Sequence, residues 1–241
     1  MLRRLIKRGV FVGTALVGLE AAYAVLRPSP SLEEFDPSGE FGHPDKPSLR
    51  VAVLGDSSVT APGVAGPEEI WVSLVAERLA ETHYVDLKSF AVGGSMAHDL
   101  VFDQLEEAIL FGPDIVFVSV GANDAIKGVP IRKFVSSLDR LIAELADTGA
   151  TVLHSGVGDL GTIPRLYPPL STLMTRRSLK FDRAHWEIAR RHGTTVVPHR
   201  NDNRDMWTAD LSLWSPDLFH VNAAGHARWA DITWRVLKPL V

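Results

Sequence analysis

Four short stretches, far apart in the chain, hold the groups an acyl-transfer site needs: Gly55-Asp56-Ser57, Gly93-Gly94, Gly121-Ala122-Asn123-Asp124 and Asp217-Leu218-Phe219-His220. A serine hydroxyl is a weak nucleophile at neutral pH and needs a base to take its proton. Asp217 and His220 are three apart, next to Pro216, in what reads as a loop or single turn. At that spacing a carboxylate can accept from the imidazole Nδ1–H and leave Nε2 for the serine proton. Asn123 offers a side-chain amide and Gly94 a backbone N–H. With the N–H of Ser57 they make three donors for a developing oxyanion. Taken singly, each stretch has a plainer use. Asp56, Ser57 and Ser58 can cap a helix, Asn123 can be a turn residue, and Gly93-Gly94 can serve a tight turn. With nine histidines in the chain, one Asp-x-x-His also arises easily by chance. His226 is the rival base, but it has no acidic residue at i−3 or i−4.

The elements that must position these groups follow from apolar periodicity. Residues 51–54 are an unbroken apolar run ending in Gly-Asp-Ser, as in a buried parallel strand. Residues 85–92, 115–120, 151–154 and 194–197 give four further strand signals. Trp71, Leu74, Val75, Arg78 and Leu79 recur at helical spacing. Ile131, Phe134, Val135, Leu138, Leu141, Ile142 and Leu145 form a second helical stripe, stopped by Gly149. A third helix is predicted around 179–191 and a last one after Asn222, a good N-cap residue. Strand and helix alternate about five times, which predicts an α/β protein: a three-layer α/β/α sandwich around a parallel sheet of about five strands. Ligands bind such sheets at the carboxyl ends of the strands. Ser57, Gly94 and Asn123 fall just after the first, second and third strands, so they converge on one edge.

Composition sets the bounds. The chain has 241 residues, 46% hydrophobic and 22% charged, enough for one α/β domain with a full core. The net charge of −4 and the lack of a long basic run beyond the N-terminus give nucleic-acid binding little support. There is no cysteine, which excludes disulfides, thiolate metal sites and a cysteine nucleophile. Arg3, Arg4, Lys7 and Arg8 precede an apolar stretch over 10–26, so residues 1–26 read as a signal peptide or membrane anchor. Either would place the rest of the chain outside the cytoplasm. Glu20 is costly in a bilayer, which leaves open an amphipathic helix packed on the domain or lying on a membrane. Residues 27–48 hold five prolines and no apolar periodicity and read as an extended, mobile linker. The catalytic domain is expected over 49–241.

These blocks resemble the SGNH hydrolases, the family also called GDSL esterases and lipases. The apolar strand with Gly-Asp-Ser stands at 51–57, Gly-x-Asn-Asp at 121–124 and Asp-x-x-His at 217–220. The resemblance covers roughly residues 51–237. It implies a flavodoxin-like sandwich, a triad of Ser57, His220 and Asp217, and an oxyanion hole from Ser57, Gly94 and Asn123. The chain departs from the family pattern at Ser58, where leucine is usual. It departs again in the second block, where Asn-x-Gly-x-x-Gly is replaced by Ser89-Phe90-Ala91-Val92-Gly93-Gly94. The implied substrate is a small-molecule or lipid acyl ester, with no metal or organic cofactor. An apolar segment over 156–174 could line an acyl pocket, touch a membrane or pack on the core. An acyltransferase or a cell-envelope carbohydrate deacetylase would use the same triad. A non-catalytic flavodoxin-like binding module would have no reason to gather Ser, Asn, Asp and His.

Overall fold

Six strands form one sheet in the computed structural model, which describes residues 17–24, 26–200, 207–208 and 210–241. They are β1 (Gly39–Phe41), β2 (Ser48–Gly55), β3 (Tyr84–Ser89), β4 (Ile115–Ser119), β5 (Thr151–Ser155) and β6 (Thr195–Val197). Their spatial order is β1-β3-β2-β4-β5-β6. β2 to β6 are parallel neighbours, at the places the apolar runs predict. β1 is an added antiparallel edge strand on β3. Nothing in Gly-Glu-Phe signals a strand; the open edge of β3 makes it one. The stretch 27–48, read as a mobile linker, therefore contributes to the sheet. It also packs: Phe35 lies against the core, and its N–H donates to Thr60 O at 2.8 Å.

Side chains alternate across the sheet with the period of two that a strand imposes. Val51, Val53, Ile115 and Phe117 enter one apolar layer, and Ala52, Leu54, Val116 and Val118 the other. Four long helices cover these layers: α1 (Trp71–Leu79), α2 (Ile131–Ala146), α3 (Leu170–His192) and α4 (Ala223–Leu237). The first and last pack on one face, the middle two on the other. The stripe of α2 buries Phe134, Leu138, Leu141, Ile142 and Leu145. Each such side chain contributes about 1.5–3 kcal/mol relative to exposure. Helix α3 begins earlier than its apolar stripe indicates, because buried Ser178 interrupts that stripe ahead of residue 179. Asn222 caps α4, accepting from the N–H of Ala224 and Gly225. The chain leaves β3 and returns as β4 on the far side of β2. The winding reverses there, so a crevice opens outside the carboxyl ends of β2 and β4.

The N-terminal reading falls largely outside the described residues, since 1–16 and 25 are among those not described. Residues 17–24 are helical, and Val17 and Ala21 pack against the core of the domain. Leu19 and Tyr23 are exposed, and Glu20 Oε1 accepts from Tyr167 N–H at 2.9 Å. Among the described residues no helix is long and apolar enough to cross a membrane.

A buried polar chain crosses the core beside the crevice. His185 Nε2 faces Val120 O at 3.2 Å, so it carries the proton and Nδ1 is an acceptor. His154 Nδ1, 2.8 Å away, must then donate, which leaves its Nε2 to accept from the Thr194 hydroxyl at 3.0 Å. Burial pushes His185 down to about 4; burial and then the neighbouring His185 charge push His154 well below its ordinary value. A folded-state pKa below the unfolded one means stability that is full above about pH 6.5 and lost as pH falls towards 4. Burial raises Asp182 to about 6, which acts in the opposite sense over the same range. Thermal melts should therefore fall from pH 7 to pH 5. The contribution of His185 between pH 6.5 and 5 is about 2 kcal/mol, and His154 acts in the same direction. His185→Gln should lower stability at pH 7 yet flatten this dependence; an equally steep profile in the variant would assign it to other groups.

Candidate active site

The first block ends β2 with a sharp entry into a helical turn, Ser57–Thr60. Asp56 caps that turn, its Oδ1 accepting from Ser58 N–H at 2.9 Å. Capping and presentation of Ser57 are thus one local structure. Gln104 holds this turn from behind: its Oε1 accepts from Gly55 N–H at 2.9 Å, and its Nε2 donates to Gly55 O at 3.0 Å. Gln104 is buried and comes from a helical segment 49 residues away. Sequence reasoning missed it, because a glutamine inside a helix carries no signal of its own.

The third block follows β4. Gly121 has φ of +116°, and a Cβ there would lie 2.8 Å from Val157 Cγ2 and 3.0 Å from the Phe134 ring. Only glycine fits that turn. It opens a short helix, Ala122–Ile126, that presents Asn123. Asn123 Nδ2 donates to Asp56 Oδ2 at 3.1 Å and to Ser95 O at 3.1 Å. The amide thereby ties the first and third blocks to the residue that follows the second. Both its hydrogens are engaged, so offering one to an oxyanion means sharing or exchanging one of these bonds. Burial pushes the Asp56 carboxyl above its ordinary value; bonds from Ser58 and Asn123 and the charge of His220 act against that rise. Asp124 turns the other way and accepts from Ala97 N–H at 3.0 Å.

Gly94 has φ of +79°, and its carbonyl accepts from Lys127 Nζ at 2.8 Å. The loop that carries it is held to the first block, since Val92 N–H donates to Gly55 O at 3.2 Å.

The fourth block is a compact loop. His220 Nδ1 lies 2.7 Å from Asp217 Oδ2, while Asp217 Oδ1 accepts from the N–H of Phe219 and His220 at 2.9 and 3.0 Å. Burial alone would raise the Asp217 carboxyl. The bonds from the His220 ring and these two N–H groups outweigh it and hold the group below the usual carboxylate range. The Asp217 side chain is 5% exposed and that of His220 27%, so the carboxylate sits behind an accessible ring.

Ser57, Asn123 and His220 all line one cavity of about 180 Å³. Asp217 lies behind it, and Gly94 is not among the lining residues. Among the described residues no hydrogen bond joins the Ser57 hydroxyl to the His220 ring. His226 also lines the cavity, but it is buried, and burial pushes it down to about 3. Its Nδ1 accepts from Trp71 N–H at 3.4 Å. The cavity walls are mostly apolar. Val157, Leu160 and Ile163 line one part, and Trp71, Trp214 and Trp229 another. Within the segment 156–174, Val157, Leu160, Ile163, Leu170 and Met174 are all buried in one core cluster, and the first three also line the cavity. The tryptophans were not legible as cavity residues, since each is equally at home in a helix stripe or core.

Residues 53–228 match the family described as GDSL-like lipase/acylhydrolase. The chain is 28% identical over 195 residues to a GDSL-like esterase of Mycobacterium tuberculosis; the match covers 79% of this chain and 62% of that one. The chain thus spans less than two thirds of that relative's length. It is 26% identical over 193 residues to the esterase TesA of Pseudomonas aeruginosa, covering 78% of this chain and 88% of that one. Among solved structures, an acetylxylan esterase from Geobacillus stearothermophilus superposes with a TM-score of 0.67 at 17% identity, over 80% of this chain and 95% of that one. At that identity the likeness is one of fold.

Proposed function

This chain belongs to the GDSL-like lipase/acylhydrolase family, and from that premise we propose that it is a serine esterase acting on acyl esters through Ser57, His220 and Asp217. The observation that carries this reading is the 2.7 Å bond from Asp217 to His220 Nδ1, with the same ring opening onto the cavity of Ser57. That bond fixes the tautomer and leaves Nε2 to act as base. Ser57 Oγ attacks the ester carbonyl carbon, and its proton passes to His220 Nε2. The negative charge gathers on the former carbonyl oxygen, where the N–H of Ser57 and the Asn123 amide stabilise it; Gly94 N–H, the third donor the family resemblance implies, would have to move to the cavity to join them. Collapse of this intermediate expels the alcohol, which takes the proton from His220. Water then repeats the sequence on the acyl-enzyme and frees the acid.

Asn123→Ala is expected to lower kcat by about 10²- to 10³-fold with little change in KM, because a donor aimed at the oxyanion gains strength in the transition state. Steady-state kinetics beside a thermal melt checks it. A large loss of stability with kcat retained would make Asn123 a tether between blocks.

The apolar cavity wall at Val157, Leu160 and Ile163 supports an acyl chain of some length. The test is the full chain assayed on p-nitrophenyl acetate, butyrate, octanoate and palmitate, with Ser57→Ala alongside. Serine-dependent release that rises beyond acetate supports a lipid or acyl esterase. Activity on acetate alone points to a small ester or an acetylated sugar. No release on any of the four rejects hydrolysis of such esters.

The basic flank and apolar stretch within residues 1–26 support export across a membrane, with the domain outside the cytoplasm and the helix over 17–24 retained against it rather than cleaved or membrane-embedded. Protease accessibility of intact cells tests that placement. Protection of the domain from added protease would remove it.

A further inference from the structure

We infer that Arg165 is a positioning residue that locks the Asp217–His220 loop to the N-terminal helix, so that residues 17–27 belong to the working site. The inference rests on the assignment of Asp217 and His220 to the triad.

Arg165 is 8% exposed. Among the described residues no carboxylate pairs with it, and a buried charge without a counter-ion is costly unless its donors are satisfied. They are satisfied by carbonyl groups from two distant parts of the chain. Nη1 donates to Asp217 O at 3.0 Å. Nε donates to Ala24 O at 2.7 Å, and Nη2 donates to Arg27 O. The backbone N–H of Arg165 also donates to Leu218 O at 3.0 Å. One residue therefore grips two consecutive carbonyls of the catalytic loop and two at the end of the N-terminal helix.

Both ends of this bridge suit it. The last carbonyls of a helix are its negative pole, where a cation is favoured. The helix is also seated independently of Arg165: Val17 and Ala21 pack on the core, Ala24 is buried, and Glu20 holds Tyr167 N–H. At the other end, Leu218 has φ of +58°, the left-handed region that a branched side chain seldom adopts. Such a residue persists only where its surroundings hold it. Here its N–H is held by Ser215 O at 2.9 Å and its carbonyl by the backbone N–H of Arg165. Releasing the guanidinium frees the adjacent Asp217 carbonyl, in the turn that sets Asp217 against His220. Removing the helix carbonyls would leave the guanidinium buried with two donor groups unsatisfied, and the same turn would loosen.

The test uses the full chain and p-nitrophenyl butyrate. Arg165→Gln is expected to lower kcat by about 10- to 100-fold with KM within about twofold, since it displaces catalytic groups and leaves the cavity wall in place. Arg165→Lys should recover part of the loss. Ala24→Glu puts a charge into the buried face of the helix and should reproduce the loss of kcat with Arg165 intact. The double variant should be no slower than the slower single one, because both break one bridge. Three results overturn the inference: unchanged kcat in folded Arg165→Gln, full kcat in Ala24→Glu, or losses that multiply in the double variant. If Arg165→Gln does not fold, Ala24→Glu decides alone. Ser57→Ala in the same assay separates the two claims. If it retains turnover, the triad assignment fails; if it is inactive while Arg165→Gln matches the parent, only the bridge fails.

Discussion

Ser57→Ala is expected to lower kcat on p-nitrophenyl butyrate by about 10⁴- to 10⁶-fold while the protein melts within a degree or two of the parent. The first half follows from chemistry. Without Oγ no acyl-enzyme can form, and what remains is binding plus the oxyanion donors acting on water. The second half follows from structure. Ser57 is half-buried at the cavity, and the bonds that build its turn come from Asp56, Ser58 and the backbone of Gly55. Surface-facing changes away from such bonds stay within about 0.5 kcal/mol. The measurement is steady-state kinetics with a thermal melt on the same preparation. Turnover within tenfold of the parent would remove Ser57 as nucleophile.

His220→Ala should be as damaging as Ser57→Ala, and the double variant no worse than either, because nucleophile and base act as one unit. His226→Ala is the necessary comparison, since both imidazoles border the cavity. They differ in what holds them. His220 has a carboxylate at 2.7 Å on Nδ1 and a partly open ring. His226 has no carboxylate partner among the described residues, its Nδ1 is turned to Trp71 N–H, and its ring packs 5.1 Å from that of Trp229. A ring that burial holds down to about 3 is too weak a base to take a serine proton readily at neutral pH. His226→Ala should therefore cost stability, through lost packing, and leave most of kcat. An inactive His226→Ala beside an active His220→Ala would reverse the assignment.

Much of the site was legible because its parts are local. A strand that ends in Gly-Asp-Ser, a glycine turn that presents an asparagine, and an aspartate three residues before a histidine each form within one turn of backbone. The residue types state the geometry, and the period-two and helical stripes state which end of which element they occupy. Where the pattern is broken, the reading failed. Buried Ser178 hid the first turns of α3. Proline-rich composition hid the three residues of β1, which owe their form to the edge of β3.

The sequence by itself determined the α/β order, the strand ends, the N-cap of α4 and the four blocks, because each depends on propensity and periodicity over a few neighbouring residues. Only the tertiary structure decided the rest. It set Gln104 behind Gly55, made Asn123 the tie from the first and third blocks to the residue after the second, and joined Arg165 to both the catalytic loop and the N-terminal helix. It also buried His226 and left the ring of His220 partly open. These ties are hydrogen bonds between residues 28 to 141 positions apart, made by ordinary side chains to backbone groups or a carboxylate. Such a bond is specified by where the sheet and helices bring the chain together, and no local pattern records it.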